Sequence, residues 1–226
     1  MQAPRPDDVA VLVQRLDERL TGPRPVDDLR RYFGIGLRPG QEAFSGARFE
    51  HLGGGGEGAG TADTVTATDL VAVETLSVRI PVELKLGLLE GPVGERLSAL
   101  LREVPSGVDL VDAPAQAVAD GSPAARAWEL LTEQRGVGWV TAGKTLARKR
   151  PRLLPVYDTV VRCALGHPPS FWSTLRAALG HSDGALHHRL LELREAAGLP
   201  DTVSALRVCD VAVWMGHRTD EHACPR

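Results

Sequence analysis

The chain has 226 residues, 43% of them hydrophobic and 24% charged, with a formal charge of −3 at neutral pH. That length is enough to bury a real core, and the balance is that of an ordinary soluble globular protein rather than a disordered or membrane-spanning one. The slight negative charge excludes a global pull toward nucleic acid, so any basic footprint must be local.

Asp7 or Asp8 is placed to cap a first helix whose apolar positions Val9, Leu12, Val13, Leu16 and Leu20 recur at helical spacing. A second short helix is expected over residues 26–33, ended by Gly34. An irregular stretch follows, running into LGGGGEGAGTADT, residues 52–64. Four consecutive glycines cost too much backbone entropy to sit inside a regular element, so this segment reads as a flexible surface loop. Thr68 is a good cap for DLVAVETLSV, which Pro81 terminates. Further helices are expected over 82–89, 94–104, 114–119 and 123–135, then over 139–149. Three more follow in SFWSTLRAALG, ALHHRLLELREAAG and SALRVCDVAVWM. No alternating strand pairs with hairpin signals occur and no internal repeat is visible. The expected fold is all-α, a single helical domain over 1–226 with room for two lobes, and with a frayed tail at 217–226.

The N-terminus has no uninterrupted apolar stretch of a leader, and no run reaches membrane-spanning length, so the expectation is a cytoplasmic protein without a membrane partner. Cys163, Cys209 and Cys224 are odd in number and widely spaced, indicating neither a disulfide framework nor a C-x-x-C metal site. His181, His187, His188, His217, His222 and Cys224 follow no tight ligand spacing, so no metal and no other cofactor is expected.

The informative stretch is GVGWVTAGKTLARKRPRLLPVYDTVVR, residues 136–162. From Gly138 to Thr145 it spells G-x-x-x-x-G-K-T, a phosphate-cradling pattern. That pattern needs a buried strand immediately before it, and the residues before it, WELLTEQRGV, read as a polar-faced helical turn. The second reading has two helices joined by a GVG turn. Gly136 takes the positive φ that ends the first helix, Val137 plugs the gap between the helices, and Gly138 permits close approach by an anion. The amides opening the second helix then form a phosphate site that holds a backbone without reading sequence.

These residues resemble the helix-hairpin-helix DNA glycosylases, including endonuclease III and the adenine-specific mismatch glycosylases. Gly136, Val137, Gly138, Thr141 and Ala142 match the hairpin of that superfamily, and Asp158 falls without a gap at the position of its catalytic aspartate. Gly143 and the P-V-Y-D of residues 155–158 resemble the adenine branch. The resemblance implies a DNA partner, a flipped base and hydrolysis of an N-glycosidic bond assisted by Asp158. Val140 stands where bifunctional members carry a lysine, so strand-cleaving lyase chemistry is not expected. Their iron–sulfur cysteines are absent. The adenine branch uses an early-helix glutamate, for which Glu74 qualifies by helix location.

Read without that resemblance, Asp158 is the N-cap of a helix beginning at TVVRCAL. Lys144, Arg148, Lys149, Arg150 and Arg152 form a basic run with no acid inside it, holding two of the three lysines in the chain. As a solvated helix end it is unremarkable; beside the hairpin it reads as a phosphate-binding face. A non-catalytic DNA-binding or scaffold protein carrying the same hairpin is the alternative. Trp128, Trp172 and Trp214 read as core and Trp139 as exposed at the hairpin tip. Arg207 and Asp210, three apart, read as an intrahelical pair.

Overall fold

A computed structural model describes residues 4–218, and among these every regular element is helical. Helix α1 (Pro6–Leu20) opens with proline and two aspartates in its first turn, where the missing amide and the helix dipole favour them. Its Leu12, Leu16 and Leu20 form the buried stripe that the spacing predicts. Helix α2 (Arg24–Phe33) stops at Gly34, whose φ of 81° is open to glycine at little cost. Then come α3 (Ala67–Glu74), α4 (Val82–Leu89), α5 (Pro92–Glu103), α6 (Pro123–Thr132), α7 (Trp139–Lys149), α8 (Thr159–Ala164), α9 (Phe171–Gly180), α10 (Ala185–Ala196) and α11 (Ala205–His217).

Two groups of helices share one continuous core. In the first, α3 packs on α7, α4 on α5, α5 on α6 and α6 on α7. In the second, α1 lies against α9, α10 and α11, while α11 also packs on α2 and α8. Helix α11 is buried nearly all round, as its Val-, Ala- and Leu-rich composition requires.

Several boundaries differ from the sequence reading: α2 opens at Arg24, α5 spans Pro92–Glu103 and α6 ends at Thr132. The cap of α3 is Thr66, not Thr68. Asp69 decides this, because its amide donates to Thr66 Oγ1 at 3.2 Å while its carboxylate accepts from the Thr66 amide at 3.0 Å, a closed capping box. Residues 114–119 form only a short 3₁₀ turn, Ala115–Val118.

The larger correction concerns the basic run and the glycine loop, which belong to one another. Arg148, Lys149 and Arg150 are 1%, 0% and 1% exposed. Arg148 donates to Asp69 Oδ1 at 2.8 Å and to the carbonyls of Phe49 and Leu52 at 2.5 and 2.6 Å. Lys149 donates to Asp69 Oδ2 at 3.0 Å and to the Thr61 carbonyl at 2.8 Å. Arg150 reaches the Ala62 carbonyl, Asp63, and the Leu101 and Val104 carbonyls at the end of α5. The loop at 52–64 is therefore pinned from inside by the cations of α7. Gly56 shows how closely: a Cβ there would lie 1.8 Å from the Arg148 carbonyl oxygen. Gly56→Ala should cost about 3 kcal/mol, the upper range for overpacking, read as a lowered urea midpoint with an unchanged slope.

Candidate functional site

The α6–α7 connection has the local form expected for it. Helix α6 ends at Thr132, the chain turns through Gly136 at φ 78°, and Val137 is buried between the helices while Gly136 and Gly138 are exposed. No side chain caps α7, and its first backbone bond runs from the Ala142 amide to the Gly138 carbonyl. The amides just after Gly138 thus open the helix toward solvent. Exposed Arg135 precedes the turn, and the guanidinium of exposed Arg162 lies 5.4 Å over the Trp139 ring. Trp139 is half-buried rather than exposed at a tip. It borders an aromatic cleft of about 620 Å³ that also includes Trp128, Tyr157 and Phe171.

Thr141 faces inward, its carbonyl accepting from Thr145 Oγ1 at 2.9 Å. The other expected phosphate contacts are likewise spoken for. Lys144, Arg148, Lys149 and Arg150 are buried, and half-buried Arg152 pairs with Asp109 at 3.0 Å. The physical reason is that these cations donate to the carbonyls around the glycine loop and to Asp69, which holds them inside the fold. No strand precedes Gly138, and Lys144 points inward, so Gly138–Thr145 lacks the geometry of a phosphate loop. Glu74 is held by Lys85 at 2.8 Å and by the Ile80 amide at 3.0 Å.

Asp158 caps α8: Oδ1 accepts from the Val160 and Val161 amides at 3.1 and 3.0 Å. Oδ2 is left over, and it lies 3.5 Å from Lys144 Nζ, which also donates to the Leu76 carbonyl at 3.0 Å. Lys144 lies on the buried face of α7, and its long side chain reaches the Asp158 cap of α8 from there. Burial pushes the Lys144 ammonium below its ordinary pKa, and the negative charge of Asp158 opposes that push only in part.

Beyond Lys144 lies a cavity of about 110 Å³, walled by Tyr32, Phe44 and Trp214 and floored by Arg207 and Asp210 of α11. Tyr32 and Phe44 are stacked at 5.1 Å and Trp214 meets both edge-on. Exposed Ser45 and Ser77 stand at the rim, and Ser77 holds a φ of 59°. The Arg207–Asp210 pair is intrahelical as expected, at 2.6 Å, but it is fully buried and extends to the Tyr32 hydroxyl at 2.5 Å and the Gly46 carbonyl at 2.8 Å. Burial raises the Asp210 carboxyl to about 7 even against the Arg207 charge. Two atoms of this cluster, Asp210 Oδ1 and Arg207 Nε, have no hydrogen-bond partner among the described residues.

A family model matches residues 25–217, which spans the hairpin, the aspartate and all of the cavity. The chain belongs to DUF6308, a family of unknown function. No curated protein and no solved structure gives a significant match. The DUF6308 region thus holds both groups of helices except α1 and the first residue of α2. Among the described residues no cluster of His, Cys, Asp and Glu has the form of a metal site, and no helix is long and apolar enough to cross a membrane. His222 and Cys224 lie outside the described residues.

Proposed function

We propose that this DUF6308 protein binds the DNA backbone through the α6–α7 turn and excises a base by hydrolysing its N-glycosidic bond, with Asp158 as the catalytic carboxylate. The observation that carries this reading is the division of labour on Asp158. Oδ1 is fixed by two amides, while Oδ2 is directed toward Lys144 beside a cavity with aromatic walls. A carboxylate held in this way, in a water-poor setting, stabilises the positive charge that develops on the sugar as the base leaves, and it orients the attacking water. The phosphate contacts fall to the open amides after Gly138, flanked by Arg135 and Arg162, in place of the buried run of α7. The resemblance in residues 136–162 supports the same assignment. The alternative, a DNA binder without chemistry, is favoured by the completeness of the Asp158 cap.

The test is a panel of damaged and mismatched duplexes assayed for base release by wild type and Asp158→Asn, with binding followed against salt. Release that Asp158→Asn abolishes supports the enzyme. Salt-sensitive binding without release on any duplex leaves only the binder, and no binding at low salt sinks both. Arg135→Glu should weaken binding about equally on every sequence and flatten its salt dependence, as loss of a phosphate contact does.

A further inference from the structure

Aromatic residues are scarce in this chain, 4% of it, yet half of them line one open cleft. Trp128 of α6, Trp139 of α7, Tyr157, and Phe171 and Trp172 of α9 form its walls, and each stays half-buried. Rings that served only the core would be closed off from solvent, and a patch of them left open marks a binding surface. At about 620 Å³ the cleft has the size of a small-ligand site.

The ring geometry narrows the ligand. Trp139 and Tyr157 meet at 5.7 Å between centroids, and Tyr157 and Phe171 stack at 3.7 Å, 14° from parallel. Rings in such close contact form a continuous wall with no gap between them, so they do not build the box that encloses a quaternary ammonium. A wall of this kind suits a flat ring laid against it. Charge narrows the ligand further. Exposed Arg162, whose guanidinium lies 5.4 Å over the Trp139 ring, has no carboxylate partner among the described residues. A cation at the edge of an aromatic surface takes a base on the rings and its phosphate on the arginine. Exposed Asp120 and Glu129, just before and within α6, disfavour a second phosphate across the cleft.

We propose that the cleft between α6, α7 and α9 binds one unpaired nucleotide of a single-stranded DNA segment, its base stacked on the aromatic wall and its phosphate on Arg162. That the nucleotide belongs to DNA rests on the DNA-binding reading above; the planar ring and the single anion do not. Trp139 directly follows Gly138 of the turn and Tyr157 directly precedes Asp158, so the cleft adjoins both the hairpin and the aspartate. The preferred partner is then DNA that is single-stranded or locally opened, not a fully paired duplex.

Three of the four tryptophans line the cleft, so a stacked base quenches their fluorescence. Titrating the intact protein at low salt with a short single strand, and with a blunt duplex of the same sequence, tests the proposal. The single strand should quench, and it should bind at least about fivefold more tightly than the duplex, the lower range for one base–aromatic stack. Phe171→Ala removes one ring and keeps all three reporters. It should weaken single-strand binding by about five- to 150-fold and leave duplex binding unchanged. Because loss of a half-buried ring can unsettle α9, Arg162→Glu provides a second arm at an exposed position, and it should abolish the quenching. No quenching by the single strand overturns the proposal. So does undiminished single-strand affinity in Arg162→Glu or in folded Phe171→Ala, or quenching by choline or a neutral sugar in place of the oligonucleotide. The outcome is separable from that of the base-excision reading. Duplex binding without a single-strand preference keeps the hairpin and discards the cleft; single-strand quenching without base release from any duplex keeps the cleft and discards the chemistry.

Discussion

Asp69→Ala is expected to lower stability by about 3–5 kcal/mol, the range for removing one partner of a buried ion pair. Asp69 serves three elements at once. Its carboxylate closes the α3 capping box through the Thr66 amide, receives Arg148 at 2.8 Å on one oxygen, and receives Lys149 at 3.0 Å on the other. Alanine leaves two fully buried cations facing only carbonyl oxygens, and those carbonyls hold the glycine loop. The same carboxylate makes the fold acid-sensitive in a definite direction. Burial by itself would raise its pKa, but the hydrogen bond from Arg148 and the charge of Lys149 outweigh burial and hold it below the ordinary carboxylate range. A carboxylate depressed in the folded state contributes stability above the unfolded value near 4, and the contribution disappears as pH falls through the folded value. Urea midpoints of wild type and Asp69→Asn should therefore diverge at neutral pH and converge in acid. A loss under about 1 kcal/mol in Asp69→Ala, or parallel pH profiles, would show that the cations do not depend on Asp69.

The helices were legible because their signals are local. Pro at the first turn, Gly34 after α2, the leucine stripe of α1 and the aspartate cap of α8 each follow from residues within one or two turns. The GVG turn was legible for the same reason: a positive φ at Gly136 and a small buried plug at Val137 are requirements of the turn itself. The basic run was not legible. Arg148, Lys149 and Arg150 have no acid within their own helix, and the partners that bury them, Asp69, Asp63 and the loop carbonyls, lie some 80 to 100 positions away. Local charge patterning can only see a solvated face there. Glycine-rich composition misled in the complementary way: it signals a backbone able to approach closely, and that approach here is to Arg148 rather than to solvent. The cavity was half-visible. Arg207 and Asp210 were read as a pair, and two charges inside the apolar run ALRVCDVAVWM were the available sign that something polar lies at the centre of the core. Nothing in the sequence joined them to Tyr32, 175 positions away, or to Lys144.

Asp158→Asn is the substitution that separates chemistry from capping. Asparagine caps helices about as well as aspartate, so its side-chain oxygen should still accept from Val160 and Val161, and α8 should still form. Base release should nevertheless fall by roughly 10²–10⁴-fold, the range for losing a positioned acid–base or charge-stabilising group. Some destabilisation, on the order of 1–3 kcal/mol, should accompany it, because buried Lys144 then has only the Leu76 carbonyl to receive its protons. Lys144→Met in the Asp158→Asn background removes that stray charge. The two changes should therefore be strongly non-additive in stability, with about 0.5–3 kcal/mol recovered in the double variant, while base release stays lost. Stability measures the pair, and release measures the carboxylate. If Lys144→Met were instead to restore release to Asp158→Asn, the defect would lie in the unpaired ammonium, and Asp158 would be a helix cap without a catalytic part.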